Sequence, residues 1–207
     1  SFLQNLAGVT SFQAIFTGAG RTFAGDELGK LSAGQKLLVL GGSAATGAIA
    51  IQLAKSIGAH VATTASPNKT PEGITKIEHM KQLGADEVIN YKEADWSEAL
   101  AGKEFDLIFD CVGTPEDWPK ASKVLKKGCS FVTIANFGEV KSTEDHSFRF
   151  FLLKASGDDL NKLVALVKEG KLKVPVDSIA PFSDVPAVLT KSMSWASAGK
   201  LVIQVAE

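Results

Sequence analysis

The sequence predicts a doubly wound α/β fold, a mostly parallel sheet of about six strands with helices on both faces. Three observations carry that expectation. Short apolar runs without polar alternation recur along the chain, as strands buried on both faces require. Segments with apolar residues at helical spacing separate them. The first clear run, finally, turns through small residues straight into a helix.

The elements follow in order. Residues 1–16 place Leu3, Leu6, Ala7, Phe12, Ile15 and Phe16 at helical spacing, and Gly18 and Gly20 mark the end of that helix. Lys36–Leu40 (KLLVL) reads as the first buried strand and stops at Gly41 and Gly42. A helix over 47–57 comes next, with Ile49, Ala50, Leu53, Ala54 and Ile57 on one face. The beat repeats as strand 60–64, helix 75–83, strand 87–90, a short helix 96–100, strand 105–111, a helix from Pro115 to Leu125 and strand 130–134. A run at 148–153 and a helix over 159–169 close the series. Right-handed crossovers wind such βαβ units into one parallel sheet. From Val174 the rhythm changes: Pro175, Pro181 and Pro186 break the segment up, and a helix at 187–195 and a strand at 200–205 follow. The division is therefore set at 1–174 and 175–207.

The 207 residues are 45% apolar and 22% charged, ordinary for one such domain with an appendage. The formal net charge is −1 with Lys and Arg scattered, which argues against nucleic acid or an anionic membrane as partner. No apolar run approaches the roughly 20 residues of a membrane span. The compartment is left open, with the cytoplasm as the expectation. Cys111 and Cys129 lie far apart inside apolar runs, as buried small hydrophobes do, and His60, His79 and His146 lack zinc-ligand spacing, so no metal is expected. Ser1 opens inside a helical pattern, and an upstream segment is expected.

The stretch after the first strand carries the chemistry. Against G-x-G-x-x-G, the positions fall on Gly42, Ala44 and Gly47, with alanine at the middle one. Small residues let the backbone turn tightly, approach a pyrophosphate and pack helix on strand, and free N–H groups at the helix start then bind the anion. Ser43 and Thr46 add hydroxyl donors. A small-residue turn that binds nothing stays open on this motif alone. The second strand ends HVATTAS (60–66) without the acid that an NAD ribose prefers, while Ser66 and Lys69 stand where a 2′-phosphate would sit. The expected cofactor is NADPH in a Rossmann-type site, although Lys69 as a solvated loop lysine also remains open.

At this point the chain resembles the zinc-independent, quinone-reductase-like branch of the medium-chain dehydrogenase/reductase superfamily. The resemblance runs through LAGVTSFQAI (6–15), GGSAATGAIAIQLAKSIGAHV (41–61), LGADEVINY (83–91), FDLIFDCVG (105–113), VLKKGCSFVTIA (124–135) and GKLVIQV (199–205), in that order. It implies that Ser43, Ala44, Ala45 and Thr46 line the pyrophosphate, with Gly47 in the same loop. It implies that Ser66, Lys69 and Tyr91 surround the adenosine and its 2′-phosphate. Cys111, Val112 and Gly113 would pass the ribose; Ile134, Ala135 and Asn136 would run beside the nicotinamide, with Thr10 at its amide edge. Phe150 and Phe151 would border the substrate cleft. The chain departs from the family at Ala44 and Cys129, where glycine is common, in a short stretch between Asn136 and Phe148, and in lacking the GroES-like catalytic domain that precedes this region in relatives. Residues 175–207 would be the segment that returns to that domain.

The resemblance also implies the activity: hydride transfer from NADPH to a quinone or to the β-carbon of an α,β-unsaturated carbonyl, without metal. Catalytic side chains are not identifiable. Tyr91 lacks the Y-x-x-x-K spacing of short-chain reductases, and Asp110 reads as a strand end that orients backbone. A non-catalytic NADPH-binding module accounts for the same residues equally well; a methyltransferase would want an acid where HVATTAS has none. A homodimer through the sheet edge, where 130–134 and 148–153 would lie, is the family expectation.

Overall fold

In KLLVL every residue after Lys36 is buried, and alternate side chains enter different cores: Leu37 and Val39 one, Leu38 and Leu40 the other. A strand with both faces covered has to lie in the middle of a layered sheet. The computed structural model, which describes residues 5–17, 29–138, 140–194 and 197–205, puts it there. β1 (Lys36–Leu40), β2 (His60–Ala65), β3 (Glu87–Asn90), β4 (Phe105–Asp110), β5 (Leu125–Thr133) and β6 (Ser147–Phe150) form one six-stranded sheet in the order β3-β2-β1-β4-β5-β6. Every pairing is parallel. The strand order reverses between β1 and β4, and the crevice at their carboxyl ends is where such sheets bind ligands.

One face is covered by α1 (Asn5–Phe12), α2 (Ala45–Ser56) and α6 (Gly157–Lys168) with α3 (Lys76–Gln82), whose apolar side chains join Leu107, Phe109 and Val132 in one core. The other is covered by α4 (Trp96–Ala99) and α5 (Asp117–Ala121), packed on Ile108, Phe131 and Phe148. Two buried glutamines tie distant backbone together. The Gln13 amide donates to Lys154 O at 2.9 Å and accepts from Lys154 N at 3.0 Å; Gln52 does the same with Lys173, at 2.8 Å both ways. Local signals set the helix starts: Thr75 and Glu78 form a reciprocal cap on α3, and Ser156 caps α6.

Several boundaries differ from those the sequence suggests. The first helix gives way to a π-helical turn over Gln13–Thr17, and Gly18 and Gly20 lie outside the described residues. The helix after Pro115 stops at Ala121, because β5 begins at Leu125 rather than Ser130. A register shift between Phe105 and Leu107 lets the polar KKG stretch (126–128) enter the ladder. β6 ends at Phe150, three residues before the apolar run does. Within the tail, VDSIAP forms β7 (Val176–Pro181), a strand the prolines concealed; Pro181 is its last residue and Pro175 lies just outside it, positions a strand tolerates. It pairs in parallel with β8 (Lys200–Gln204) across α7 (Val185–Met193), giving a separate two-stranded sheet. The expected end of that last helix, Trp195, lies outside the described residues.

Candidate functional site

The turn that leaves β1 is fixed from both sides. Gly41 N donates to Thr64 Oγ1 at 2.9 Å and Gly42 N to Thr64 O at 3.1 Å, which pins the turn to the end of β2. α2 then starts in contact with it: a Cβ on Gly47 would stand 2.4 Å from Gly41 O and 2.9 Å from Gly42 Cα, so only glycine permits this approach. Ala44 caps α2 in extended geometry (φ −66°, ψ 153°) and its side chain offers no acceptor. The N–H groups of the first turn are thus left to whatever enters from outside, and the helix dipole favours an anion there.

Across the crevice the end of β4 is shaped by Asp110, which is fully buried. Its carboxylate accepts Val112 N at 2.9 Å, Gly113 N at 3.0 Å and the Thr133 hydroxyl at 2.8 Å; Thr133 Oγ1 in turn accepts Ala135 N and Asn136 N. Asp110 therefore orients two loops. They touch at Gly113, whose φ is +83° and where a Cβ would lie 2.5 Å from Ala135 C and O.

Between these walls lies a cavity of about 680 Å³, within the size range of small-molecule and cofactor sites. Of the residues expected to hold the cofactor, Ser43, Ala44, Ala45, Tyr91, Cys111 and Val112 line it. Thr46 and Gly47 lie one step along α2, Thr46 accepting the Ser11 hydroxyl on its carbonyl at 2.8 Å. Gly113, Ala135 and Asn136 form the loop contact just described, and Ile134 packs against the core. Ser66, 2% exposed, and Lys69, exposed, sit past the end of β2 outside the lining, with Lys69 bridged through its backbone to Thr75. Thr10 turns its hydroxyl back to Leu6 O at 2.6 Å. Phe151 is a core residue, whereas Phe150 packs on the exposed Phe137. Burial pushes the Cys111 thiol pKa far up, so this sulfur is a neutral wall and not a nucleophile.

Sequence reasoning missed the remaining walls. Lys200, the first residue of β8, lines the cavity half-buried, makes no ion pair among the described residues, and has its pKa lowered by that burial. It is held there by the tail. Lys200 N donates to Pro175 O at 2.9 Å, Ala198 N to Asp177 Oδ2 at 2.8 Å, Lys191 pairs with Asp177, and Lys76 Nζ of α3 donates to Ser197 O at 3.0 Å. Trp96 and Asp117 also line the cavity. Nothing local in GKLVIQV or in PEDWPK marks these residues; only the folded chain brings them to Ser43.

Among the described residues no group of three or more His, Cys, Asp or Glu could hold a metal ion, both cysteines are free, and no helix is long and apolar enough to cross a membrane.

Residues 83–203 match the family model described as zinc-binding dehydrogenase. The chain is 36% identical to the chloroplastic NADPH-dependent alkenal/one oxidoreductase of Arabidopsis thaliana over 155 residues, 74% of this chain and 36% of that protein. It is 31% identical to the chloroplast envelope quinone oxidoreductase homolog of the same plant over 208 residues, 96% of this chain and 60% of that protein. Among solved structures, the quinone oxidoreductase from Coxiella burnetii superposes with a TM-score of 0.80 at 27% identity, over 97% of this chain and 58% of that one. The chain thus spans between about a third and three fifths of the length of these relatives.

Proposed function

Because the chain belongs to the zinc-binding dehydrogenase family, in the quinone-oxidoreductase-like branch of the medium-chain dehydrogenase/reductase superfamily, we propose that it is the NADPH-binding part of a reductase acting on quinones or α,β-unsaturated carbonyls. The observation that carries the reading is the uncapped start of α2, opening at the β1/β4 switch point onto a cavity that is also lined by Lys200, half-buried and without an ion pair among the described residues. Backbone N–H groups with a cation opposite are what a pyrophosphate requires. The donor set fits a dinucleotide; zinc, which the family's name mentions, finds no ligand cluster among the described residues. When bound, the nicotinamide supplies the hydride. The chain's own residues bind and orient it: Ser43 and the first turn of α2 take the diphosphate, Lys200 neutralises it, and Asp110 holds both loops that border the ribose and nicotinamide.

NADPH is preferred over NADH in this reading. β2 ends in Ala65, followed by Ser66, with no carboxylate there to accept ribose hydroxyls, and Lys69 supplies charge beyond that end. The relative named as NADPH-dependent supports the same choice. Residues 175–207 are proposed as a segment of the catalytic domain; their separate sheet and the exposed Ile179, Phe182, Leu189 and Met193 support this. A second copy is proposed to pair along β6, an edge strand flanked by exposed Phe137 and Leu152. The cytoplasmic expectation rests on sequence alone, since both plant relatives carry chloroplast names.

The test is a titration with NADPH and with NADH, followed by nicotinamide fluorescence or heat, repeated on Lys69→Ala. Tighter binding of NADPH is expected, with the gap narrowing in the variant. Binding of neither nucleotide would reduce the reading to a fold; equal binding would remove the 2′-phosphate.

A further inference from the structure

The cavity continues past the phosphate loop, between the carboxyl ends of β3 and β4, to a wall made by Tyr91, Trp96, Thr114, Asp117 and Lys120. Asp117 is the member that calls for an explanation. It is 8% exposed at the first position of α5, and one carboxylate oxygen accepts the Trp96 indole N–H at 3.0 Å. Thr114 also hydrogen-bonds to it, while Lys120, the cation of this wall, is committed to Asp95 at 2.8 Å. A carboxylate offers about four acceptor positions, so two donors leave Asp117 with acceptor capacity on the cavity side. Burial pushes its pKa up against the pull of Trp96, as happens when a buried carboxyl is short of donors.

The sheet fixes what reaches this wall. With its pyrophosphate at the start of α2 and a ribose at the end of β2, a dinucleotide carries its adenine to the ends of β3 and β4, where Tyr91 and Thr114 stand. Adenine and hypoxanthine differ along one edge: at C6 an amino donor gives way to a carbonyl acceptor, and the neighbouring N1 changes from acceptor to protonated donor. We propose that Asp117 reads the base: its carboxylate accepts the exocyclic amino group of adenine, and the site thereby rejects dinucleotides whose base carries oxygen there. Trp96 is a positioning residue, holding the carboxylate by the oxygen it occupies. This inference rests on the dinucleotide reading given above.

The experiment compares the affinity of the full chain for NADPH and for reduced nicotinamide hypoxanthine dinucleotide phosphate, by calorimetry or nicotinamide fluorescence. A hydrogen bond to a charged acceptor predicts that the wild type favours NADPH on the order of ten- to a hundredfold. Asp117→Asn keeps the size and an oxygen for Trp96 but turns an amide N–H toward the base, and is expected to bring the two affinities within about threefold or to invert them. Equal affinities in the wild type overturn the base reading and leave the dinucleotide site standing. If neither ligand binds, both fall together. The wild-type ratio decides the matter even if the variant folds poorly.

Discussion

Lys200→Met should weaken dinucleotide binding and strengthen the fold at the same time. Two unit charges roughly 5 Å apart at an effective dielectric constant of about 20 interact by about 3 kcal/mol. Lys200 is half-buried, so solvent and salt screen part of this; about 1.5 kcal/mol, roughly a tenfold rise in Kd, is the expected loss. The effect on folding has the opposite sign. Burial lowers the Lys200 pKa below its ordinary 10.5. Between the lowered value and 10.5 the unfolded chain carries a proton that the folded chain has released, so stability rises with pH there. Below that window the cost of burying the ammonium is present in full, and methionine, of similar length, removes it. The assay is calorimetric titration with NADPH beside thermal unfolding at pH 7 and across pH 8 to 10, where the wild type should gain stability relative to the variant. A Kd unchanged within about twofold, or a variant that melts below the wild type at pH 7, would refute the placement of an uncompensated charge in the cavity wall.

Other expectations follow from the same geometry. Gly47→Ala puts a methyl 2.4 Å from Gly41 O and should cost about 1–3 kcal/mol, read as a lower urea midpoint. An unchanged midpoint would mean that α2 can move off the turn. Asp110→Ala removes the acceptor for three donors, the buried Thr133 hydroxyl and two part-buried backbone N–H groups, and should destabilise by about 2–3 kcal/mol, with a loss of NADPH affinity beyond that of Gly47→Ala. Asp177 is held below its ordinary 3.8; burial alone would raise it, but Lys191 and the Ala198 N–H outweigh that. Its contribution is therefore present above pH 3.8 and is lost only as pH falls through the lowered value, so hydrogen exchange in β7 and β8 should stay slow at pH 5 and rise sharply near pH 3 or below. Fast exchange already at pH 5 would show that the Asp177 cluster does not hold the tail.

The strands of the large sheet were legible because a parallel strand covered on both faces has to be apolar throughout, and KLLVL and FDLIFD announce themselves. The phosphate loop was legible for a related reason, since its requirement for small residues is local in sequence. β5 was read short because Lys126, Lys127 and Gly128 are exposed where the bulge carries them past β4, and a polar start hides a strand. β7 was hidden by its own exposure: a two-stranded sheet leaves Ile179 in solvent and tolerates proline at its ends. Lys200 and Asp117 were illegible on other grounds. A lysine before a strand and an aspartate opening a short helix are ordinary surface residues by pattern, and their burial comes from segments remote in the chain. Thr10 was assigned by position alone; its hydroxyl donates within its own helix, to Leu6 O, and keeps its oxygen as an acceptor.

The tail that carries Lys200 is fastened to the sheet domain near α3 and, among the described residues, its strands pair with each other and not with the large sheet. Ligand occupancy and tail docking then obey thermodynamic reciprocity: whatever factor the docked tail adds to nucleotide affinity, bound nucleotide must add to the docking equilibrium. A partner surface that steadies β7 and β8 would act as a remote activator of nucleotide capture without touching the nucleotide, and nucleotide concentration would set how firmly that partner is held.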